Sequence, residues 1–404
     1  MNKPVVATYW KRVNIAEVAD YISDKFVPAK TGSQTIKYIG LEHIIAHENR
    51  LTRHGLTADI MSTKMRFHRQ DILLGKLRPY LNKVVLAPFA GVCSTDILVI
   101  RAKDDIMAGF LLRVLSSNQL VSHAVESAAG NIMPRTSWQY LQTYQFYLPP
   151  LLEQQKIAAI LASVDEVIEK TLAQINKLKD LKRASMERLF TRGLEHTEYQ
   201  SSPVGNIPVG WEIKQLGELL TNIVGGGTPA RNNAAYWGGD IPWATVKDLR
   251  ASHLSMTAEC ISDQGLYHSA ARLIPANTII IATRMALGKA AVFDRDVTIN
   301  QDLKALFPKA NIATEFLHQW LLSQAPLLAS LGTGSTVKGI RLEVLTGLKL
   351  ALPPLHEQQK ITSILVSIDT QIKVRQAKLK HIKALKKALL QNLLAGHKQV
   401  LRKI

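Results

Sequence analysis

The chain carries 404 residues, 50 Lys+Arg against 32 Asp+Glu, and a formal net charge of +18; that length predicts two or three domains, and so basic a balance points to a polyanion, nucleic acid first. With 47% hydrophobic residues and no apolar run of about 18, the composition excludes a disordered chain and a membrane-spanning helix. Cys93 and Cys260 stand alone, which excludes a disulfide framework and a CxxC metal site; with a start lacking an apolar leader, the expected location is the cytoplasm.

A first mixed α/β domain is expected over 1–150, with strands near 72–74, 84–87 and 97–100 and a helix near 110–115. Pro149-Pro150 then stop a strand and open a helix over 151–195. Its apolar residues, Ile157, Leu161, Val164, Ile168, Leu172, Ile175, Leu178 and Leu189, recur at spacings of three and four, the coiled-coil pattern. Glu153 falls in the first turn, where a carboxylate suits the dipole, and Gly193 marks the end. A polar linker is expected over 196–210. A second domain follows over 211–353, with strands near 278–282, 290–293 and 303–307 and a helix near 316–322. Pro353-Pro354 open a second helix over 354–396, with Glu357 in its first turn and a seam of Ile361, Leu365, Ile368, Ile372, Leu379, Ile382, Leu389 and Leu393. A basic tail covers 397–404; residues 355–404 hold 11 Lys+Arg and two Asp+Glu.

The chain is duplicated. Residues 148–165 (LPPLLEQQKIAAILASVD) and 352–369 (LPPLHEQQKITSILVSID) agree at 13 of 18 positions, where chance gives about one. Upstream the likeness is weaker. Trp10 pairs with Trp211, Tyr38-Ile39-Gly40-Leu41 with Trp243-Ala244-Thr245-Val246, and Gly130 with Gly334. At one offset of 206, Arg78, Lys83 and Asp96 fall opposite Arg284, Lys289 and Asp302. The predicted fold class is α+β: two mixed α/β domains separated by two long helices that form an antiparallel coiled coil, a tandem repeat with approximate two-fold symmetry. A helix of this length spans about 60 Å, so a globular domain is expected at each end of the pair. Segments that repeat closely suit a partner met twice in the same way; diverged domains suit two different targets.

Catalytic patterns are missing. Gly225-Gly226-Gly227-Thr228-Pro229 has no following GK[ST], so it is no P-loop. The LPPL runs lack the polar first residue of the [DN]PP[YF] loop of amino-methyltransferases. No spaced Asp and [DE]xK set suggests a nuclease. The expectation is a non-catalytic chain with no metal or cofactor of its own.

The duplicated PPLxEQQKIxxIL helix start, alternating with variable domains, resembles the specificity subunit of type I restriction–modification systems. The second half carries more of the pattern: Gly226-Gly227-Thr228-Pro229, Tyr236-Trp237-Gly238-Gly239-Asp240-Ile241-Pro242-Trp243, Val246-Lys247-Asp248-Leu249 and Gly334-Ser335-Thr336-Val337-Lys338-Gly339-Ile340. The first half departs from it, with Gly130-Asn131-Ile132-Met133-Pro134-Arg135 and no GGTP loop. The resemblance implies two target-recognition domains, each reading one half of a bipartite asymmetric DNA site, with the helices setting the gap. It implies two methyltransferase subunits and two restriction–translocation subunits as partners. S-adenosylmethionine, ATP and Mg2+ would be used by those chains.

Arg or Lys suits guanine and Asn or Gln suits adenine, while phosphate contacts set register. Candidate DNA contacts are Lys37, Lys76, Arg78, Tyr80, Lys83 and Arg135 in the first half, and Arg231, Lys247, Arg284, Lys289 and Lys338 in the second. Arg78/Arg284 and Lys83/Lys289 are the best motivated, because both halves retain them at one offset. The repeated helix starts offer Glu153, Gln154, Lys156, Glu357, Gln358 and Lys360 as a partner-subunit interface. Three other readings stay open: an enzyme with concealed motifs, an architectural or repressor-like DNA binder, and a specificity subunit of a methylation-only or combined restriction enzyme.

Overall fold

The computed structural model describes residues 9–27, 36–57, 62–127, 134–334 and 337–396. Gly130 to Met133, Ser335, Thr336 and the basic tail lie outside the described residues. The chain divides into two compact units, Met1–Leu172 with Ala377–Ile404, and Ala173–Gln376.

In the first unit the runs ILLG, VVL and ILVIRA form strands Ile72–Gly75, Val84–Leu86 and Ile97–Ala102. Their β-branched and leucine side chains are nearly all buried, so each strand reads as a short apolar run without alternation. Ile97–Ala102 pairs antiparallel with Ala19–Ile22 and with Ile72–Gly75, which pairs onward with Val84–Leu86. A second sheet centres on Gly91–Cys93, antiparallel to Lys64–Phe67 and parallel to Lys37–Ile39. A ribbon of Lys11–Asn14 with Gln145–Leu148 closes the domain at the entrance to the first long helix.

The second unit repeats this topology. Leu303–Pro308 lies between Leu220–Gly225 and Ile279–Ala282, and the latter pairs with Ala290–Phe293. Val297–Ile299 runs parallel to Trp237–Ala244 and antiparallel to Leu273–Ile274. The closing ribbon is Glu212–Gln215 with Lys349–Leu352. The helices Ala108–Leu115 and Thr314–Ser323 each lay an apolar face on the core of their unit. One expectation changes. Within the predicted linker, Tyr199–Ser202 and Gly205–Pro208 form a hairpin. Ile207 is 2% exposed and packs into the core, which gives this polar stretch a reason to fold.

The long helices are Leu151–Arg192 and Leu355–Leu394. In the first unit, Ile157 and Leu161 of one share a core with Leu393 of the other, and Asp165 accepts from Lys386 at 2.6 Å. In the second, Met186, Leu189 and Phe190 share a core with Ile361 and Leu365, and Asp369 accepts from Lys182 at 2.8 Å. Both segment pairs run antiparallel. Asp165/Asp369 and Lys182/Lys386 each stand 204 apart, the offset of the duplicated helix start. The same ion pair is therefore made twice, with the helices exchanging donor and acceptor.

The helix starts explain the most faithful part of the repeat. Gln154 is 1% exposed; its amide accepts from the Met107 N–H at 2.8 Å and donates to the carbonyls of Asp105 and Pro149. Gln358 is fully buried and does the same with the Ala313 N–H and the carbonyls of Asn311 and Pro353. Next to it, Glu153 accepts from the Trp10 indole and Glu357 from the Trp211 indole, both at 3.0 Å.

The two aspartates differ in what else they hold. Asp165 also binds Arg113, whose side chain is 6% exposed; Asp369 binds the neutral Gln319. Asp165→Ala leaves a buried cation without a counter-charge and should cost about 3–5 kcal/mol. Asp369→Ala should cost about 1–2 kcal/mol. Denaturant unfolding of the two variants against the parent chain checks the order.

Candidate nucleic-acid interface

Each unit has a strand that runs parallel to its neighbour and ends in the same turn. After Gly91–Cys93, the Ser94 N–H donates to Ile39 O at 3.0 Å and the Asp96 N–H to Ser94 Oγ at 3.2 Å. After Val297–Ile299, the Asn300 N–H donates to Ala244 O at 3.0 Å and the Asp302 N–H to Asn300 Oδ1 at 3.2 Å. Ser or Asn here serves one purpose, since a short polar side chain can cap the backbone two residues on.

The aspartate that ends the turn holds a guanidinium in both units. Arg135 sits 2.7 Å from Asp96, and Arg284 sits 3.3 Å from Asp302. These arginines come from opposite sides of one β-bridge. The bridge joins Leu77 to Arg135 in the first unit and Arg284 to Gly339 in the second. A Cβ on Gly339 would stand 3.4 Å from Arg284 Cγ, so the glycine leaves that side of the bridge to the guanidinium stem.

The bridge corrects the expected pairing of Arg78 with Arg284. The Arg78 N–H donates to Pro134 O and the Met285 N–H to Lys338 O. Both residues take the left-handed conformation, at φ 51 and φ 65. Arg78 thus corresponds to Met285, and Arg284 to Leu77. Lys83 and Lys289 keep the offset of 206, because the second unit's loop is one residue shorter. Their environments differ: Lys83 Nζ is tied to Leu41 O at 2.6 Å, while Lys289 is exposed at the edge of a cleft.

That cleft, about 500 Å³, is lined in the second unit by Thr228, Arg231, Trp243, Lys247, Lys289 and Gln301 among others. Gly226 and Gly227 make it possible. A Cβ on Gly226 would fall 1.8 Å from Ile299 O, so no larger residue lets the loop pass. The loop is fixed by the Gly227 N–H to Ile299 O and the Trp243 indole to Gly227 O, both at 3.0 Å. Arg231 lies over the rings of Trp237 and Trp243, at 3.8 and 4.9 Å from the centroids. Glu259 binds its two terminal nitrogens and keeps it charged. A guanidinium stacked and paired in this way is pre-oriented.

The other sequence candidates are scattered. Around Asp96 the first unit gathers Arg135 and Lys76; Lys76 Nζ donates to Thr95 O at 2.7 Å. Burial pulls the Lys76 pKa down, with Asp96 opposing. Lys37 lies over the Phe89 ring at 4.5 Å, and Tyr80 is exposed in the short 3-10 turn Pro79–Leu81 that follows Arg78. Lys338 is exposed beside the Arg284 bridge. Sequence reasoning quoted the loop that carries Thr228 and set Trp243 opposite Tyr38, but missed Glu259 and Gln301 as lining residues.

The expected partner surface also needs correction. Gln154, Glu357 and Gln358 are buried and hydrogen-bonded within the chain, and Glu153 is engaged by Tyr9 and Trp10. Lys156 and Lys360 of the same turns are exposed, with Leu151, Leu152 and Leu355 around them.

Among the described residues one cluster has metal-ligand chemistry: His253, Glu315 and His318, with ligand atoms within 4.8 Å of one another. Burial opposes the Glu315 charge, but hydrogen bonds from His253, His318 and Gln319 hold its carboxyl well below the usual range. The carboxylate is satisfied by these donors, and it fixes the first turn of helix Thr314–Ser323.

A family model described as the type I restriction modification DNA specificity domain matches residues 8–180 and again 208–384. The specificity subunit of type I restriction enzyme MjaVIII from Methanocaldococcus jannaschii is 26% identical over 408 residues, 96% of this chain and 92% of that protein. That of MjaIX from the same organism is 29% identical over 181 residues, 44% of this chain and 42% of that protein, so this match spans less than half of either. A solved chain from a study of type I R-M assembly and conformational transition is alike in fold. Its TM-score is 0.63 at 21% identity, covering 98% of this chain and 100% of that one.

Glu357 gives this architecture a pH dependence. Burial raises its pKa, but donors from the Leu194 N–H, His196 and Trp211 outweigh that, and the folded value lies below the ordinary 4.5. Its stabilisation is complete above 4.5 and is lost as pH falls towards the folded value. The melting-temperature advantage of the parent chain over Glu357→Gln should therefore be largest near neutral pH and shrink at about pH 3.5. Thermal melts of both proteins at the two pH values check this.

Proposed function

The chain belongs to the type I restriction–modification DNA specificity family, and from that membership we propose that it is the non-catalytic reader of a multisubunit methyltransferase and endonuclease. Each unit reads one half of a bipartite, asymmetric DNA target. The observation that carries this reading is the repeated turn: one backbone framework, one aspartate-held guanidinium, and different polar side chains around it. A shared framework sets two domains on DNA in the same manner, and different side chains let them prefer different bases. The net charge of +18 favours phosphate contact.

Methyltransferase subunits dock on the outward side of the duplicated helix starts, around Lys156 and Lys360 with their exposed leucines. Glu153 and the buried Gln154, Glu357 and Gln358 serve this by fixing the angle at which each helix leaves its domain. Two methyltransferase and two restriction–translocation subunits complete the assembly, and S-adenosylmethionine, ATP and Mg2+ act in those chains. Of the described residues, no helix is long and apolar enough to cross a membrane. Work on chromosomal DNA fits the expected cytoplasmic location.

Two measurements test the proposal. A modified-base map of DNA from cells expressing the cognate methyltransferase subunit should show methylated adenines in a split motif only when this chain is also present. Identical maps with and without it would overturn the reading. Arg135→Ala and Arg284→Ala should each weaken binding by about 1–3 kcal/mol and relax preference in one half of the motif. Competition binding of the assembled methyltransferase to base-substituted duplexes reads both; unchanged affinity and preference would remove these arginines from the interface.

A further inference from the structure

The shared turn isolates one position where the two units differ without any difference in scaffold. Between the capping residue and the aspartate lies Thr95 in the first unit and Gln301 in the second. Flanking hydrogen bonds match on both sides, so these two side chains leave the backbone at the same place. Gln301 is exposed and lines the cleft. Its Oε1 accepts from the Thr228 hydroxyl at 2.6 Å, and its Nε2 has no partner among the described residues.

An amide carbonyl oxygen has two lone pairs, and the Thr228 hydroxyl uses one. What remains is one acceptor site and two N–H donors, fixed in direction by a residue that the Gly226-Gly227 loop holds in place. Lys247 and Lys289 line the same cleft and suit phosphate, while Arg231 is paired with Glu259. A side-chain amide with one free acceptor and a free donor matches the N6/N7 edge of adenine.

We propose that Gln301 is the adenine-reading residue of the second unit and that Thr228 is its positioning residue. The proposal rests on the DNA-specificity reading above and names one base contact within it. The first unit, with Thr95 at the same place and Lys76 on the Thr95 carbonyl, reads its half without this contact.

The test uses the full chain assembled with its cognate methyltransferase subunits, acting on the chromosomal DNA of the expression host. The wild-type map gives the motif. Gln301→Thr should make one A·T position in one half degenerate, with discrimination there falling about tenfold or more, and should leave the other half unchanged. Gln301→Glu should shift preference at that position towards cytosine, whose N4 amine donates to a carboxylate. Thr228→Val should relax the same position and no other. A wild-type motif with Gln301→Thr and Gln301→Glu, or a uniform loss across both halves, overturns the proposal. If a variant methylates nothing, the purified assembly is titrated with motif duplexes substituted at each position in turn. Loss relieved by one base change supports base reading, and equal loss on every duplex overturns it. A wild-type chain that yields no motif would instead overturn the specificity reading on which the proposal stands.

Discussion

A glutamine buried in the first turn of each long helix, Gln154 or Gln358, carries the constraint from which the architecture follows. Its amide satisfies a backbone N–H and two carbonyls that would otherwise be lost at the junction of domain and helix. An unpaired buried polar group costs about 1–3 kcal/mol, so replacing either glutamine is expensive. The neighbouring glutamate takes an indole N–H from Trp10 or Trp211 at the domain's entry. Each domain is thus latched to the helix that follows it by the same few groups. This accounts for the close identity of the helix starts within the chain itself, whatever docks outside them.

With the junction fixed, the rest of each unit is free to diverge. The central strands of each sheet keep their order, because the apolar runs Ile72–Gly75, Ile97–Ala102, Ile279–Ala282 and Ala290–Phe293 are largely buried and tolerate only other apolar residues. The turn after the parallel strand keeps its hydrogen bonds while exchanging Ser94 for Asn300 and Thr95 for Gln301. Such exchanges cost the fold little, since each new side chain either makes the same cap or projects into a cleft.

The aspartate–guanidinium pair shows how an interaction can be kept in space while its residue moves in sequence. Arg135 and Arg284 arrive from the two sides of one β-bridge, so either side can supply the cation. The partner across the bridge needs only to leave room, as Gly339 does. Such an exchange keeps the charge at the aspartate and alters the approach of the side chain.

Much of this protein was legible in the sequence. Heptad spacing from Ile157 to Leu189 and from Ile361 to Leu393, the proline pairs and the closing glycines fix the two helices, since periodic burial is a local property. Duplication of LPPLxEQQK fixes the two-unit plan, and the predicted strands lie within two residues of the observed ones. Tertiary structure alone decided the rest. A constant offset cannot register a loop shortened by one residue, so it paired Arg78 with Arg284 where the backbone pairs Arg78 with Met285. Nor can sequence tell a buried Gln358 from a surface one, because burial depends on which distant carbonyls lie within reach. The cleft of Thr228, Arg231, Trp243 and Gln301 draws on segments far apart in the chain, and only folding brings a glycine loop, a stacked guanidinium and an oriented amide to one place.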